Sequence, residues 1–384
     1  MTLKVAIVAG EASGDLLGAG LMAALKREED CQFEGICGPA MMAQGGIARY
    51  PLDRLAVTGI TEVAGRVPDI LRMRRDLLRH FRKLRPDCLI GIDAPDFTLA
   101  LERAMKRDGI PVVHYVSPTV WAWRRYRVRT VARSADLLLT LLPFEPPYYE
   151  GHMPAVYVGH PLADQIAESP GTAEAREQLR MEEDGLVIAL LPGSRENELK
   201  AHAPLFVRTA MRLAMRYPQC RFIAPFVNRA TRVLFEEAMR AEGAFDLPLV
   251  RMHGHAAQAM AAADIVIVAS GTAALEAALV GRPMIVTYRV SPFSYHLARR
   301  FIRLDYYSLP NHLIGAPVVP ELIQNKATPD HLVAAAERLI ENPGARAEMV
   351  AAFAGIRRDL RRNANQTAAR AILDLVARRR AGAA

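Results

Sequence analysis

Short β-branched runs that stop at a turn of small residues and pass into a helical pattern recur along this chain. They constrain its fold more than any other feature. The first lies in VAIVAGEASGDLLGAG, from Val5 to Gly20, where an apolar run ends at Gly10-Glu11-Ala12-Ser13-Gly14-Asp15 and Leu16, Leu17 and Leu21 follow at helical spacing. A strand, turn and helix in this order present backbone N–H groups to a ligand. The turn is not the dinucleotide fingerprint, because G-x-G-x-x-G requires a glycine where Ala12 stands. It carries Glu11, Ser13 and Asp15 instead, a polar set for a turn that only redirects the chain.

In the first half of the chain, strands are predicted at Lys4–Val8, Phe33–Ile36, Cys88–Ile92, Val112–Val116, Leu137–Thr140 and Val156–Val158, with helices at Gly14–Arg27, Asp69–Leu84 and Phe97–Arg107. The second half repeats the plan. Strands are predicted at Leu186–Leu191, Arg221–Pro225, Leu247–Val250, Ile265–Ala269 and Met284–Thr287, with helices at Leu199–Arg216, Thr231–Ala241, Ala256–Ala262 and Thr272–Val280. Strands separated by helices mean parallel sheets built of right-handed βαβ units. The predicted fold is α/β, with two doubly wound Rossmann-like domains at residues 1–168 and 185–345, a polar link at Ile166–Gly185, and a basic helical tail over 346–384.

The composition suits two ordinary cores: 384 residues, 51% hydrophobic and 23% charged, is a globular chain. Cys31, Cys37, Cys88 and Cys220 show no C-x-x-C spacing, which argues for reduced thiols in a cytosol over a disulfide framework or zinc site. No apolar run reaches the roughly 18 residues of a membrane span, and the N-terminus reads as a first strand, not a signal peptide. A net charge of +8 calls for an anionic partner: nucleic acid, nucleotide or membrane surface.

Two phrases in the second half suit a nucleotide diphosphate. Pro192-Gly193-Ser194-Arg195 closes a buried strand just before a helix; the glycine admits an anion to the backbone, and Arg195 offers a planar fork to phosphate. Ser270-Gly271-Thr272 does the same after the Ile265–Ala269 strand, and Glu276, one turn into the next helix, can accept bonds from ribose hydroxyls. In the first half, Asp93 leaves a strand at its carboxyl end, where a carboxylate can act as general base for a hydroxyl nucleophile. Asp96 reads as the N-cap of the next helix. Ser117 and Trp121, in HYVSPTVWAWR, follow another strand, where rings beside hydroxyls suit a sugar. The stretch from Val57 to Arg85 sets Val67, Ile70, Leu71, Met73, Leu77, Leu78 and Phe81 among eight Arg and Lys residues. It reads as a basic amphipathic helix, packed on the sheet or dipping into anionic lipid.

The phrases AGEASGDLLGAGLMAALK, GIDAPDF, HYVSPTVWAWR, LLPGSRENEL, ASGTAALEAAL and YYSLPNHLIG, running as far as Gly315, closely resemble those of the lipid-A-disaccharide synthases, bacterial glycosyltransferases of the GT-B type. The resemblance implies two Rossmann-like domains facing a central cleft, with the C-terminal helix returning to the first. It implies transfer of sugar from UDP-2,3-diacylglucosamine to the 6-hydroxyl of 2,3-diacylglucosamine 1-phosphate, releasing UDP as product, with no metal and no other cofactor. Asp93 would be the base. Glu11, Ser13, Asp15, Ser117 and Trp121 would line the acceptor side. Gly193, Ser194, Arg195, Ser270, Gly271, Thr272, Glu276, Asn311 and Gln324 would hold the donor. A cytoplasmic protein is implied, docked peripherally on the inner-membrane leaflet through the Val67–Phe81 region, a possible homodimer, with no nucleic acid partner. Two other readings compete: a UDP-N-acetylglucosamine 2-epimerase or different UDP-sugar transferase on the same scaffold, and a basic nucleic-acid-binding protein, which lacks any recognisable reading module.

Overall fold

Two all-parallel sheets organise the computed structural model, which describes residues 2–55, 60–166, 171–182, 184–290 and 304–382, the side chains of 53 and 60–66 excepted. The first contains β1 (Leu3–Ala9), β2 (Cys31–Cys37), β3 (Ile47–Pro51), β4 (Cys88–Ile92), β5 (Val112–Tyr115), β6 (Leu137–Thr140) and β7 (Ala155–Tyr157), in the order β3-β2-β1-β4-β5-β6-β7. The second contains β8 (Val187–Leu191), β9 (Arg221–Phe226), β10 (Leu249–His253), β11 (Ile265–Ala269), β12 (Met284–Tyr288) and β13 (Glu321–Ile323), in the order β10-β9-β8-β11-β12-β13. Strands β4, β5, β6, β8 and β11 are buried at every residue. Helices cover both faces of such a sheet, so its strands read as continuous apolar runs instead of alternating ones.

The interior strands therefore appear where the apolar runs lie, and Cys88–Ile92, Leu137–Thr140 and Ile265–Ala269 have the predicted bounds. Sequence reasoning passes over β3 and β13. Both are edge strands, short and largely exposed or half-buried, and a strand paired on one side needs no apolar run.

The chain divides into one unit of residues 1–164 with 359–384, and a second of 165–358. The segment expected to be a link falls in the second unit from residue 165 on. It contains the helix Thr172–Gln178, whose Arg176 is buried in the second unit, donating to the Ala262 carbonyl and pairing with Asp264 at 2.9 Å. The helix Pro343–Leu360 belongs to the second unit as far as Arg358.

One device recurs at the amino edge of both sheets. Asp87, Asp136 and Asp264 each stand just before a strand, and each accepts a backbone N–H from the neighbouring strand, of Lys4, Val112 and Val187 respectively. An arginine completes each: Arg380 on Asp87, Arg379 on Asp136 and Arg176 on Asp264. Arg379 and Arg380 come from the C-terminal helix Ala364–Ala381, which packs in the first unit against the helix Ala12–Glu28. Asp164 receives that helix by accepting the Asn363 and Ala364 N–H groups. Its buried stripe is Ala364, Ala368, Ala369, Ile372 and Val376. Because Ile372 is fully buried, Ile372→Ala is expected to destabilise the protein by about 2–5 kcal/mol, read as a lower urea midpoint for the first unit.

Candidate active site

In a doubly wound sheet, ligands bind beyond the carboxyl ends of the strands where the strand order reverses. In the first unit that point lies between β1 and β4, and the turns that leave these strands touch. A Cβ placed on Gly10 would lie 2.0 Å from the Ala94 Cβ, so only glycine fits there. Glu11, the N-cap of the helix Ala12–Glu28, and Ser13, in its first turn, are exposed. Asp93 stands half-buried on the facing turn, at φ +53°, followed by Ala94 at φ +45°. Left-handed conformations at non-glycine residues cost about 1–3 kcal/mol each and persist where the surroundings enforce them. Here the Thr98 hydroxyl donates to the Asp93 carbonyl at 2.9 Å, one turn into the helix Pro95–Arg107.

The structure corrects several expectations in this unit. Asp15 does not face a ligand: it is buried, and its carboxylate accepts the Ala40 and Met41 N–H groups at 2.9 and 3.0 Å, capping the helix Pro39–Ala43. Asp96 is not the N-cap, a place taken by Ala94; it pairs with Arg127. Ser117 is buried, with its hydroxyl 2.9 Å from the Tyr149 hydroxyl. The Trp121 ring packs edge-on against Phe144, at 5.3 Å between centroids. The exposed ring is Trp123, with the Arg124 guanidinium 3.9 Å above it. Two residues apart in an irregular segment, the tryptophans offer no periodicity from which the sequence could rank them.

In the second unit the strand order reverses between β8 and β11. The Pro192-Gly193-Ser194-Arg195 turn is already occupied. Glu198 folds back from the first turn of the next helix, and its Oε2 accepts the Ser194 and Arg195 N–H groups at 3.0 and 3.3 Å. The backbone donors expected for phosphate are thus taken by a carboxylate of the chain; the Ser194 side chain is exposed, and the exposed Arg195 guanidinium lies 3.7 Å from Glu198 Oε1. His202 holds the same turn from beneath. Its Nε2 accepts the Arg289 N–H at 2.9 Å, so Nδ1 carries the proton and donates to the Pro192 carbonyl at 3.0 Å. Burial lowers its pKa, consistent with this neutral tautomer.

The Ser270-Gly271-Thr272 turn is open. The Ser270 hydroxyl donates to the Tyr307 carbonyl at 3.2 Å, but Gly271 and Thr272 are exposed and no side chain caps the nine-residue helix Thr272–Val280. Glu276 lies half-buried on that helix, and burial raises its carboxyl pKa. Asn311 and Gln324, expected at the donor, make bonds within the chain. Asn311 is buried, donating to the Val319 carbonyl and Glu321 and accepting the Val319 N–H at 2.7 Å. Gln324 bridges the Val290 backbone, accepting its N–H at 2.7 Å and donating to its carbonyl at 3.1 Å.

The family model for lipid-A-disaccharide synthetase matches residues 5–374, across both units. The chain belongs to this family. A lipid-A-disaccharide synthase of Methylobacillus flagellatus is 46% identical over 374 residues, covering 97% of this chain and 99% of that one. One from Pseudomonas aeruginosa is 47% identical over 379 residues, covering 98% and 99%. Among solved structures, the UDP-GlcNAc 2-epimerase of Neisseria meningitidis bound to UDP-GlcNAc superposes with a TM-score of 0.67 at 14% identity, over 97% of this chain and all of that one. The glycosyltransferase of kitacinnamycin does so at 0.65 and 15% identity, over 98% and 100%. These likenesses establish the fold of the family member as two Rossmann-like units of GT-B type.

Glu145, buried beside Trp121, has its pKa raised by burial from an ordinary 4.5 to about 8. The unfolded chain releases this proton first, so stability falls as pH rises from about 4.5 to about 8. Glu145→Gln is expected to lose less stability than the parent between pH 5 and pH 8, measured by urea unfolding at both values.

Proposed function

We propose that this chain transfers 2,3-diacylglucosamine from its UDP derivative to the 6-hydroxyl of 2,3-diacylglucosamine 1-phosphate, forming the β-1′,6-linked disaccharide of lipid A and UDP. The observation that carries this reading is the family match, which runs through the Asp93 turn of one unit and both phosphate-type turns of the other.

The chemistry is a single inverting displacement. The acceptor oxygen attacks the anomeric carbon, the bond from that carbon to the diphosphate breaks, and UDP leaves with the electron pair. Asp93 takes the hydroxyl proton. Its strained turn holds the carboxylate at the carboxyl edge of β4, beside the exposed Glu11 and Ser13. Charge building on UDP meets the open N-terminus of the Thr272–Val280 helix and the Arg195 guanidinium, without a metal. Glu276 accepts the ribose hydroxyls, whose donors offset the cost of its partial burial.

Acylated substrates place the enzyme at a membrane surface. No helix among the described residues is long and apolar enough to cross a bilayer. The Val67–Phe81 region serves it differently from the sequence expectation. Met73, Leu77 and Phe81 are core residues at 5% exposure or less, whereas Val67 is 41% exposed and Ile70 and Leu71 are half-buried near the exposed Arg72, Arg75 and Arg79. Val57 and the side chains of Ile60 and Val63 lie outside the described residues.

Asp93→Asn is expected to lower turnover by about 100-fold or more with UDP affinity within about twofold; unchanged turnover in a disaccharide-forming assay removes the base assignment. UDP-N-acetylglucosamine supplied alone is expected to remain unepimerised. Val67→Ser with Leu71→Ser should weaken sedimentation with anionic vesicles while the fold survives, and Leu77→Ser should unfold the protein.

A further inference from the structure

The interior of the first unit holds a polar pair that the mechanism above leaves unused. Glu102, on the Pro95–Arg107 helix, and His114, on β5, have side chains 1% and 0% exposed, with Glu102 Oε1 2.7 Å from His114 Nδ1. Beside them runs β4. Gly91 of β4 stands opposite His114 in the strand register, and a Cβ on Gly91 would fall 1.9 Å from Glu102 Oε1. The carboxylate thus lies against bare backbone at Gly91 and reaches across β4 to the imidazole on β5. Asp93 is two residues further along the chain, on the turn that leaves β4.

We propose that Glu102 and His114 are positioning residues for Asp93, an inference that rests on reading Asp93 as the base. Thr98 and Glu102 stand one turn apart on the helix, so they share a face. Thr98 binds the Asp93 carbonyl and Glu102 binds β5. Together they hold the helix in axial position and rotation against the strands. The helix begins at Pro95, directly after the left-handed Asp93 and Ala94, so any slip of the helix relaxes that turn and moves the carboxylate. Apolar packing would fill the same space but would not fix direction, whereas a hydrogen bond does. A buried pair of this kind contributes little net stability, so its effect is sought in geometry. Displacement of a reacting group by about 1 Å costs on the order of 100-fold in rate.

The test compares Glu102→Leu, His114→Phe and Glu102→Gln for kcat, for KM of both substrates and for UDP affinity, with the folded fraction counted by UDP-binding stoichiometry. Glu102→Leu and His114→Phe are expected to lower kcat per folded molecule by roughly tenfold or more. Donor KM and UDP affinity, properties of the second unit, should stay within about twofold. Glu102→Gln keeps an acceptor for the Nδ1 proton and should recover most of the lost kcat. Gly91→Ala, whose methyl displaces the carboxylate, is expected to lower kcat in the same way and serves if the other variants fail to fold. Unchanged kcat in Glu102→Leu or in Gly91→Ala overturns the proposal, as does equal impairment of the Leu and Gln variants. The base assignment fails separately: full turnover in Asp93→Asn ends it, while an inactive Asp93→Asn beside a fully active Glu102→Leu defeats only the positioning role.

Discussion

The approach of two backbones at Gly10 and Ala94 is the constraint on which the first unit's site depends. β1 and β4 become neighbours because the strand order reverses there, and their outgoing turns meet so closely that a Cβ on Gly10 would lie 2.0 Å from the Ala94 Cβ. β4 therefore leaves the sheet through two left-handed residues, and the first of them is Asp93. A turn of this kind stores strain, and the Thr98 hydroxyl and the interior Glu102–His114 pair are the groups that hold it. The second unit repeats the strand reversal between β8 and β11 with another solution: one outgoing turn closed by Glu198 and one left open at Gly271 and Thr272.

Residues near these edges divide into those packed into the scaffold and those exposed at its surface. A buried polar atom without a partner costs on the order of 1–3 kcal/mol, which favours the internal bonds that several of them make. Asp15 caps a short helix, Ser117 meets Tyr149, Asn311 closes the loop to Val319, and Gln324 pairs with the Val290 backbone. Glu11, Ser13, Ser194, Arg195, Gly271 and Thr272 are the exposed members of the same phrases. A motif phrase thus mixes the residues that meet a ligand with those that keep the loop in shape.

Much of the architecture is legible without coordinates. Interior strands are continuous apolar runs because both sheet faces are covered, and the Ile265–Ala269 strand and Thr272–Val280 helix stand at their predicted bounds. The edge strands β3 and β13 escape because one-sided pairing imposes no apolar pattern. The segment near Arg176 looks like a link because a buried arginine is indistinguishable in sequence from a solvated one. The basic helix over Ile60–Leu84 has a similar ambiguity: its apolar positions fit lipid or core equally, and only packing places Met73, Leu77 and Phe81 inside and Val67 outside.

The sequence by itself determined the family, the two doubly wound units and the small-residue turns, because these follow from local patterns: apolar runs, helical spacing, and glycines where backbone must come close. Only the tertiary structure decided which polar residues of each phrase face outward. Partners such as Asp15 with Ala40, Glu102 with His114 and Gln324 with Val290 lie on different elements. Burial and hydrogen bonding between elements are set by how strands and helices pack, and no local pattern records that.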